Sequence, residues 1–477
     1  MESIWTENCQ LKERKPLSGD IKAEIAVIGA GIAGLLTASA LQKAGYQVVV
    51  LEANRIASGQ TRNTTAKITS QHGMIYRRLI DTVGKNRAKQ YAMANEAAIE
   101  AYRRVVAEEN IDCSFEERNA YVYGSDSKQL QTEAEAAASL GLPASYVREA
   151  ALPFPSAGAV CFAHQAQFHP LQFIDHIARP LTVYENTAVL RVKDEQIETT
   201  GGQVRAEQIV FACHYPFVIF PGMFFARMHQ ERSYVLALEN AAQVDGMWVG
   251  AENGSCSFRN YRNLLLLGGG GHRCGENSAG GRYEQLRQMA RKWFPESREI
   301  AHWSAQDCMT ADGVPYIGRY AESRPNWYVA TGFQKWGMTS AMVSAMLLRD
   351  LICGKENTYA DVFSPERFDA KTLTGVAAES GQAIKGLAKE IFQIPAERAA
   401  EIPKGHGGIV FLRGEKLGVY KDEEGQLYPV DIRCPHLGCQ LEWNPDEHSW
   451  DCPCHGSRFD RFGNLISGPA QENLAHG

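Results

Sequence analysis

Six residues near the start of the chain, Gly29-Ala-Gly31-Ile-Ala-Gly34, admit few folds. They follow a short apolar run, Ala23 to Ile28, and open into a segment of helical composition, Leu35 to Ala44. Gly29 permits a tight turn from strand to helix, Gly31 lets backbone approach a pyrophosphate, and Gly34 lets helix and strand pack closely. The helix N-terminus leaves N–H groups for phosphate oxygens. After Gly45 a second apolar run, Tyr46 to Leu51, ends in Glu52, placed to accept hydrogen bonds from a ribose diol. Strand, loop, helix, strand and acid in this order predict a dinucleotide-binding α/β unit, although the glycines alone do not separate FAD from NAD.

At 477 residues the chain calls for two or three domains, and its 44% hydrophobic and 22% charged residues have the balance of a globular protein. A formal net charge of -6 offers no basic footprint, so nucleic acid is not an expected partner. Met1 to Asp20 is polar, without the apolar run of a secretory leader, and the mature protein is expected to start where the sequence does. The most apolar stretch, Met338 to Cys353, contains Arg349 and Asp350 and falls short of the roughly 18 uninterrupted residues of a membrane span. Of 12 cysteines only Cys434, Cys439, Cys452 and Cys454 cluster, which predicts a reduced, cytoplasmic enzyme with one local metal site.

Ser58-Gly59-Gln-Thr-Arg62-Asn63-Thr64-Thr65-Ala66-Lys67 follows the acid and could wrap the second half of a cofactor. Much later come Asp312-Gly-Val-Pro-Tyr-Ile-Gly318, the apolar run Trp327 to Thr331, the loop Gly332-Phe-Gln-Lys-Trp336-Gly337 and a small-residue helix from Met338. Together these segments resemble the D-amino acid oxidase, glycine oxidase and sarcosine oxidase superfamily over about residues 20 to 360. The resemblance implies FAD extended between the glycine loop and the late helix, whose N-terminus would favour negative charge gathering on the flavin pyrimidine ring. It implies flavin contacts at Thr64, Thr65, Ala66, Lys67, Gly332, Gly337, Met338 and Thr339, and an adenine contact at Val189. Ile209-Val-Phe-Ala-Cys213-His214 departs from the family pattern, which has a small residue and glycine there. Gly268 to Gly271 has no prompt helix after it and reads as a turn following a sheet strand, which weighs against a second, NAD-binding loop.

Near the other end stand Cys434-Pro-His436-Leu-Gly-Cys439 and Cys452-Pro-Cys454-His455-Gly-Ser457. Two thiolates, Cys434 and Cys452, and two imidazoles, His436 and His455, suit the two irons of a [2Fe-2S] cluster; imidazole in place of thiolate raises the potential. Zinc takes the same ligand types, but the flanking Leu-Gly and Gly-Ser also resemble the Rieske pattern. That resemblance, closer to the Rieske proteins of respiratory bc complexes than to dioxygenase ferredoxins, implies a disulfide between Cys439 and Cys454, the alternative being two buried thiols. It implies that Ser457 bonds a bridging sulfide and that Phe459, in place of a tyrosine, lowers the potential. Gly408 to Arg413, Lys416 to Lys421, Leu427 to Ile432 and His448 to Asp451 read as short strands of a small barrel, and Gly468-Pro469-Ala470 resembles its proline loop.

The expected fold is therefore an α/β FAD-binding (Rossmann-like) domain with an antiparallel-sheet substrate domain over residues 20–365, a helical linker over 366–401, and a small all-β Rieske domain over 402–477. The linker reads as a strap or, alternatively, a free tether. Arg87 to Glu109 and Asp126 to Leu140 read as helices, and Glu231 to Leu238 and Cys256 to Leu267 as strands. Lys67 could place a cation near the flavin or be a surface lysine. His164, His169, His229 and His272 read as structural or surface residues, and the position of Cys308 does not match a covalent flavin attachment. The leading expectation is an oxidoreductase that oxidises a small amine or amino acid and passes electrons through FAD to the cluster and on to an external carrier. The alternatives are reversed flow, from a carrier through the cluster to the flavin, and a non-enzymatic redox sensor.

Overall fold

The computed structural model describes residues 2–367, 399–412 and 415–475; most of the expected linker lies outside the described residues. Strand Ile21–Ile28 is central to the first sheet, hydrogen-bonded in parallel to Gly202–Phe211 on one side and Val48–Leu51 on the other. Gly202–Phe211 pairs onward with Trp327–Thr331, and Val48–Leu51 with Thr182–Tyr184, again in parallel. All four residues of Val48–Leu51 are buried, as strands covered on both faces must be. The expected strand from Tyr46 thus begins two residues later, because Gln47 is spent on the turn, where its N–H donates to Glu24 Oε2 (2.6 Å). The first helix, Ile32–Lys43, packs against the late helix Gly337–Ile352. Residues 2–20 are polar in composition but not wholly exposed. Trp5 is fully buried, and Leu17 joins the core beside the central sheet.

A second, nine-stranded sheet follows the order Arg298–Thr310, Met228–Glu239, Leu264–Arg273, Ser257–Tyr261, Met247–Gly250, Glu116–Tyr123, Ala159–Gln167 and Lys67–Ile68, with Ala144–Val147 pairing beside Ala159–Gln167. It is antiparallel except where Met247–Gly250 runs parallel to Glu116–Tyr123. The reading of Gly268 to Gly271 as a turn is corrected here: the glycines lie inside strand Leu264–Arg273, with Gly268 opposite Val235 and Gly269 opposite Tyr234. A Cβ on Gly268 would fall 2.6 Å from Ser257 Oγ and one on Gly269 3.1 Å from Leu286 Cδ2, while Gly270 has a φ of 66°. The span Cys256 to Leu267 likewise divides into two strands, joined at Arg262, which has a φ of 55°.

The C-terminal domain is built of a three-stranded antiparallel sheet, His406–Leu412, Glu415–Lys421 and Leu427–Asp431, and a four-stranded one, Glu442–Asn444, Ser449–Asp451, Arg458–Asp460 and Leu465–Ser467. Trp443, Trp450 and Phe459 fill its core together with the four clustered cysteines. Among the described residues no helix is long and apolar enough to cross a membrane.

Candidate functional site

A cavity of about 1070 Å³ runs from the glycine loop to the start of the late helix. Of the residues the sequence singled out, Gly29, Gly31, Glu52, Thr64, Thr65, Lys67, Val189, Gly337 and Met338 line it. Gly31 faces open space, since a Cβ there would meet only Thr61 Oγ1 at 3.4 Å, and the side chain on the first turn of the helix that begins beside it is that of Thr61, whose Oγ1 accepts from Ile32 N (3.0 Å). Glu52 accepts hydrogen bonds from Ala30 N (2.7 Å) and Asn54 N (2.9 Å), which hold the acid at the end of its strand. A helix N-terminus that opens beside a bare glycine, with an acid one strand away, fits the pyrophosphate and ribose of a dinucleotide.

Gly34, Ala66, Gly332 and Thr339 stand outside the lining. Gly34 is the contact point of helix and strand, where a Cβ would fall 1.9 Å from Gly29 O. Overpacking of that kind costs about 1–3 kcal/mol, so Gly34→Ala is expected to weaken FAD retention by about tenfold or more. Equilibrium dialysis against free FAD checks this, and a variant that binds FAD like the wild type contradicts it. Gly332 has a φ of 71° and no room beside Thr310 Cγ2, 2.3 Å from a would-be Cβ. Thr339 Oγ1 accepts from Thr69 N and donates to Thr69 O, both at 2.9 Å, clamping the chain just after the wrapping segment.

Sequence reading missed what holds that segment. Trp303 Nε1 donates to Asn63 O (2.9 Å), Trp5 Nε1 to Thr64 O (2.8 Å), and Arg259 to both Thr65 O and Ala66 O (2.7 Å each). Four successive carbonyls are thus satisfied from behind, by residues up to 240 positions away. Lys67 is buried and donates to Thr65 Oγ1 (3.0 Å). Burial, aided by the charge of Arg259, lowers its ammonium to about 7. The surface-lysine alternative does not describe this position.

On the opposite wall, Glu231 pairs with Lys335 (3.0 Å), and bonds from His229 and Lys335 hold its carboxyl down at about 2. Asp307, its cross-strand neighbour, is pushed up to about 6 by burial. His272 lines the cavity and bonds Tyr234 Oη (3.0 Å), while His169 caps the helix Pro170–Ala178. Burial raises the Cys308 thiol well above its ordinary value, leaving it protonated and a poor partner for covalent attachment.

In the C-terminal domain Cys439 and Cys454 form a disulfide. Cys434 and Cys452 remain as free, buried thiols in mutual contact, and the rings of His436 and His455 lie 4.9 Å apart. His436 Nδ1 is buried and makes no hydrogen bond among the described residues. His455 Nδ1 and Nε2 are buried without a hydrogen bond as well, and two buried thiols beside two imidazoles with orphaned nitrogens fit a [2Fe-2S] cluster. Ser457 Oγ accepts from Ala470 N (2.9 Å), tying the proline loop to the cluster loop.

The two sites adjoin. Ser467, Gly468, Pro469, Ala470 and Gln471 of the small domain line the same cavity as the glycine loop, and Gln471 Nε2 donates to Val189 O (3.0 Å). A nucleotide cradle in a parallel sheet, roofed by a second sheet and touched by a cysteine–histidine domain, defines a two-centre oxidoreductase. The FAD dependent oxidoreductase family matches residues 24–351 and the Rieske [2Fe-2S] domain matches residues 393–476, so the chain belongs to the first family and carries the second domain at its C-terminal end. Its cofactors are FAD and a [2Fe-2S] cluster.

YhfW of Bacillus subtilis (strain 168), described as a Rieske 2Fe-2S iron-sulfur protein, is 38% identical over 99% of this chain and 97% of its own. Glycine oxidase from Geobacillus kaustophilus is similar in fold at a TM-score of 0.59 and 18% identity, covering 73% of this chain and all of that one. L-proline dehydrogenase from P. horikoshii covers 74% and 98%, with a TM-score of 0.61 and 18% identity.

Proposed function

We propose that this protein is a dehydrogenase that oxidises a small amine or amino acid and passes the electrons from FAD to the Rieske cluster, which hands them to an external carrier. The observation that carries this reading is the single cavity bordered by Gly31, Lys67, Gly337 and, from the small domain, Gly468 to Gln471. The amino acids in the names of the similar folds support the substrate class.

FAD, when bound, would take up the hydride of the donor's α C–H bond, the C–N bond becoming C=N as the nitrogen loses a proton. Gly29, Gly31 and Glu52 would hold its nucleotide half, and Thr64 and Thr65 its middle. Gly337, Met338 and Thr339 would present first-turn N–H groups and the positive end of the helix dipole to the flavin pyrimidine ring. Lys67, with its ammonium at about 7, can hold or release a proton near neutral pH at its Nζ. Cys434, Cys452, His436 and His455 would hold the cluster. The eight cysteines outside the cluster loops are unpaired and suit a reducing cytoplasm.

The test is anaerobic. A panel of amines and amino acids is added to the holoprotein while flavin absorbance and the reduced-cluster EPR signal are followed together. One donor is expected to bleach the flavin before the cluster signal rises. If no donor acts and bleaching needs a reduced carrier, electrons run the other way.

A further inference from the structure

Strands Met228–Glu239 and Arg298–Thr310 form a wall with two faces. Residues directly opposite in an antiparallel pair share a face and neighbours alternate. Glu231 stands opposite Asp307 and Ser233 opposite Ala305, and these four line the cavity. Arg232 stands opposite Gln306, and with Gln230 they point the other way, where the small domain sits.

Gln230 and Gln306 are each 1% exposed. Gln306 Nε2 donates to Gln230 Oε1 and to Gly456 O (2.7 Å), and Gln230 Nε2 donates to His455 O (2.6 Å). The fit is close: Gly456 has a φ of 80°, and a Cβ there would fall 2.6 Å from Gln230 Cβ. On the cavity side, Gln306 N donates to Gln60 Oε1 (2.6 Å), and Gln60 is itself a lining residue. Burying two amides is costly unless they are paired, and the acceptors that pair them are backbone carbonyls of the cluster loop. Docking of the domain as a body is served separately, by Glu447 on Arg232 and by Asp446 on Asn277 (2.9 Å).

We propose that Gln230 and Gln306 are positioning residues that fix the His455–Gly456 loop against the flavin wall and thereby set the rate of electron exchange between FAD and cluster. The proposal rests on the reading that the two centres exchange electrons. Electron transfer weakens steeply with separation, and a loop freed from both amides samples longer separations.

The test uses the holoprotein carrying Gln230→Leu and Gln306→Leu together. The flavin is reduced anaerobically by light with EDTA as electron donor, so no amine substrate is needed, and the cluster EPR signal is timed. Cluster reduction is expected to slow by about tenfold or more, with flavin photoreduction unchanged. Amide exchange of Cys454 to Ser457, followed by deuterium uptake in the oxidised protein, is expected to quicken by about tenfold. Gln306→Asn, which keeps the amide but withdraws it by one methylene, serves if the double variant does not assemble, with the same shifts expected. Cluster reduction at wild-type speed, or unchanged exchange, overturns the proposal. A wild-type cluster that never receives an electron overturns the exchange reading as well.

Discussion

Replacing Cys434 by serine is expected to give a protein that keeps its FAD and loses its cluster. The thiol is 2% exposed, faces Cys452 and has no part in the FAD cavity. A hydroxyl in its place is a far weaker iron ligand than a thiolate. The reduced-cluster EPR signal should vanish, the flavin-to-protein ratio should stay near the wild-type value, and an amine donor should still bleach the flavin. The barrel should nevertheless remain folded, because the Cys439–Cys454 disulfide joins the two cluster loops across 15 positions of sequence, a constraint worth about 3 kcal/mol. An EPR signal of wild-type intensity in Cys434→Ser would sink the ligand assignment.

Much of this architecture was legible from local patterns. The strand, glycine loop, helix and acid around Gly29 to Glu52 lie within one unit, and each residue's role follows from its neighbours in sequence. The two cysteine–histidine loops are legible for the same reason, since each gathers its cysteines and histidine within a few residues of sequence. Gly268 to Gly271 misled because glycine in a strand and glycine in a turn look alike until the facing strand is known. Here Ser257 crowds Gly268 and Leu286 crowds Gly269, and that crowding is tertiary. The supports of the FAD segment were invisible too: Trp5, Arg259 and Trp303 act on carbonyls of residues 63 to 66 from distant positions, and a carbonyl has no sequence signature. The contact between domains was out of reach for the same reason, Gln230 and His455 being 225 positions apart.

The other large effect is expected at Glu447, in the hairpin between Glu442–Asn444 and Ser449–Asp451. Its carboxylate is bound by Arg232 from the second sheet, by Arg458 (3.0 Å), by Ser304 Oγ (2.7 Å) and by Tyr283 Oη (3.1 Å). Arg232, Arg458 and Glu447 have side chains only 2%, 8% and 10% exposed. Burial opposes the charge of Glu447, yet the two guanidinium groups overcome it and hold the carboxyl at about 2 against an ordinary 4.5. The depressed value fixes the sign of the pH dependence: the stabilisation is full above about pH 4.5 and disappears as pH falls through about 2. Glu447→Gln keeps the shape but leaves buried Arg232 without its counter-charge and Arg458 with Asp451 alone. Removing one member of a buried ion pair costs about 3–5 kcal/mol. At pH 7 the urea midpoint of the cluster-absorbance transition should therefore drop sharply. The gap between variant and wild type should narrow as pH is lowered below about 4.5, because protonation removes from the wild type the same charge the variant lacks. A variant that matches the wild type at pH 7, or a gap that widens on acidification, would show that the domains are held together by other contacts.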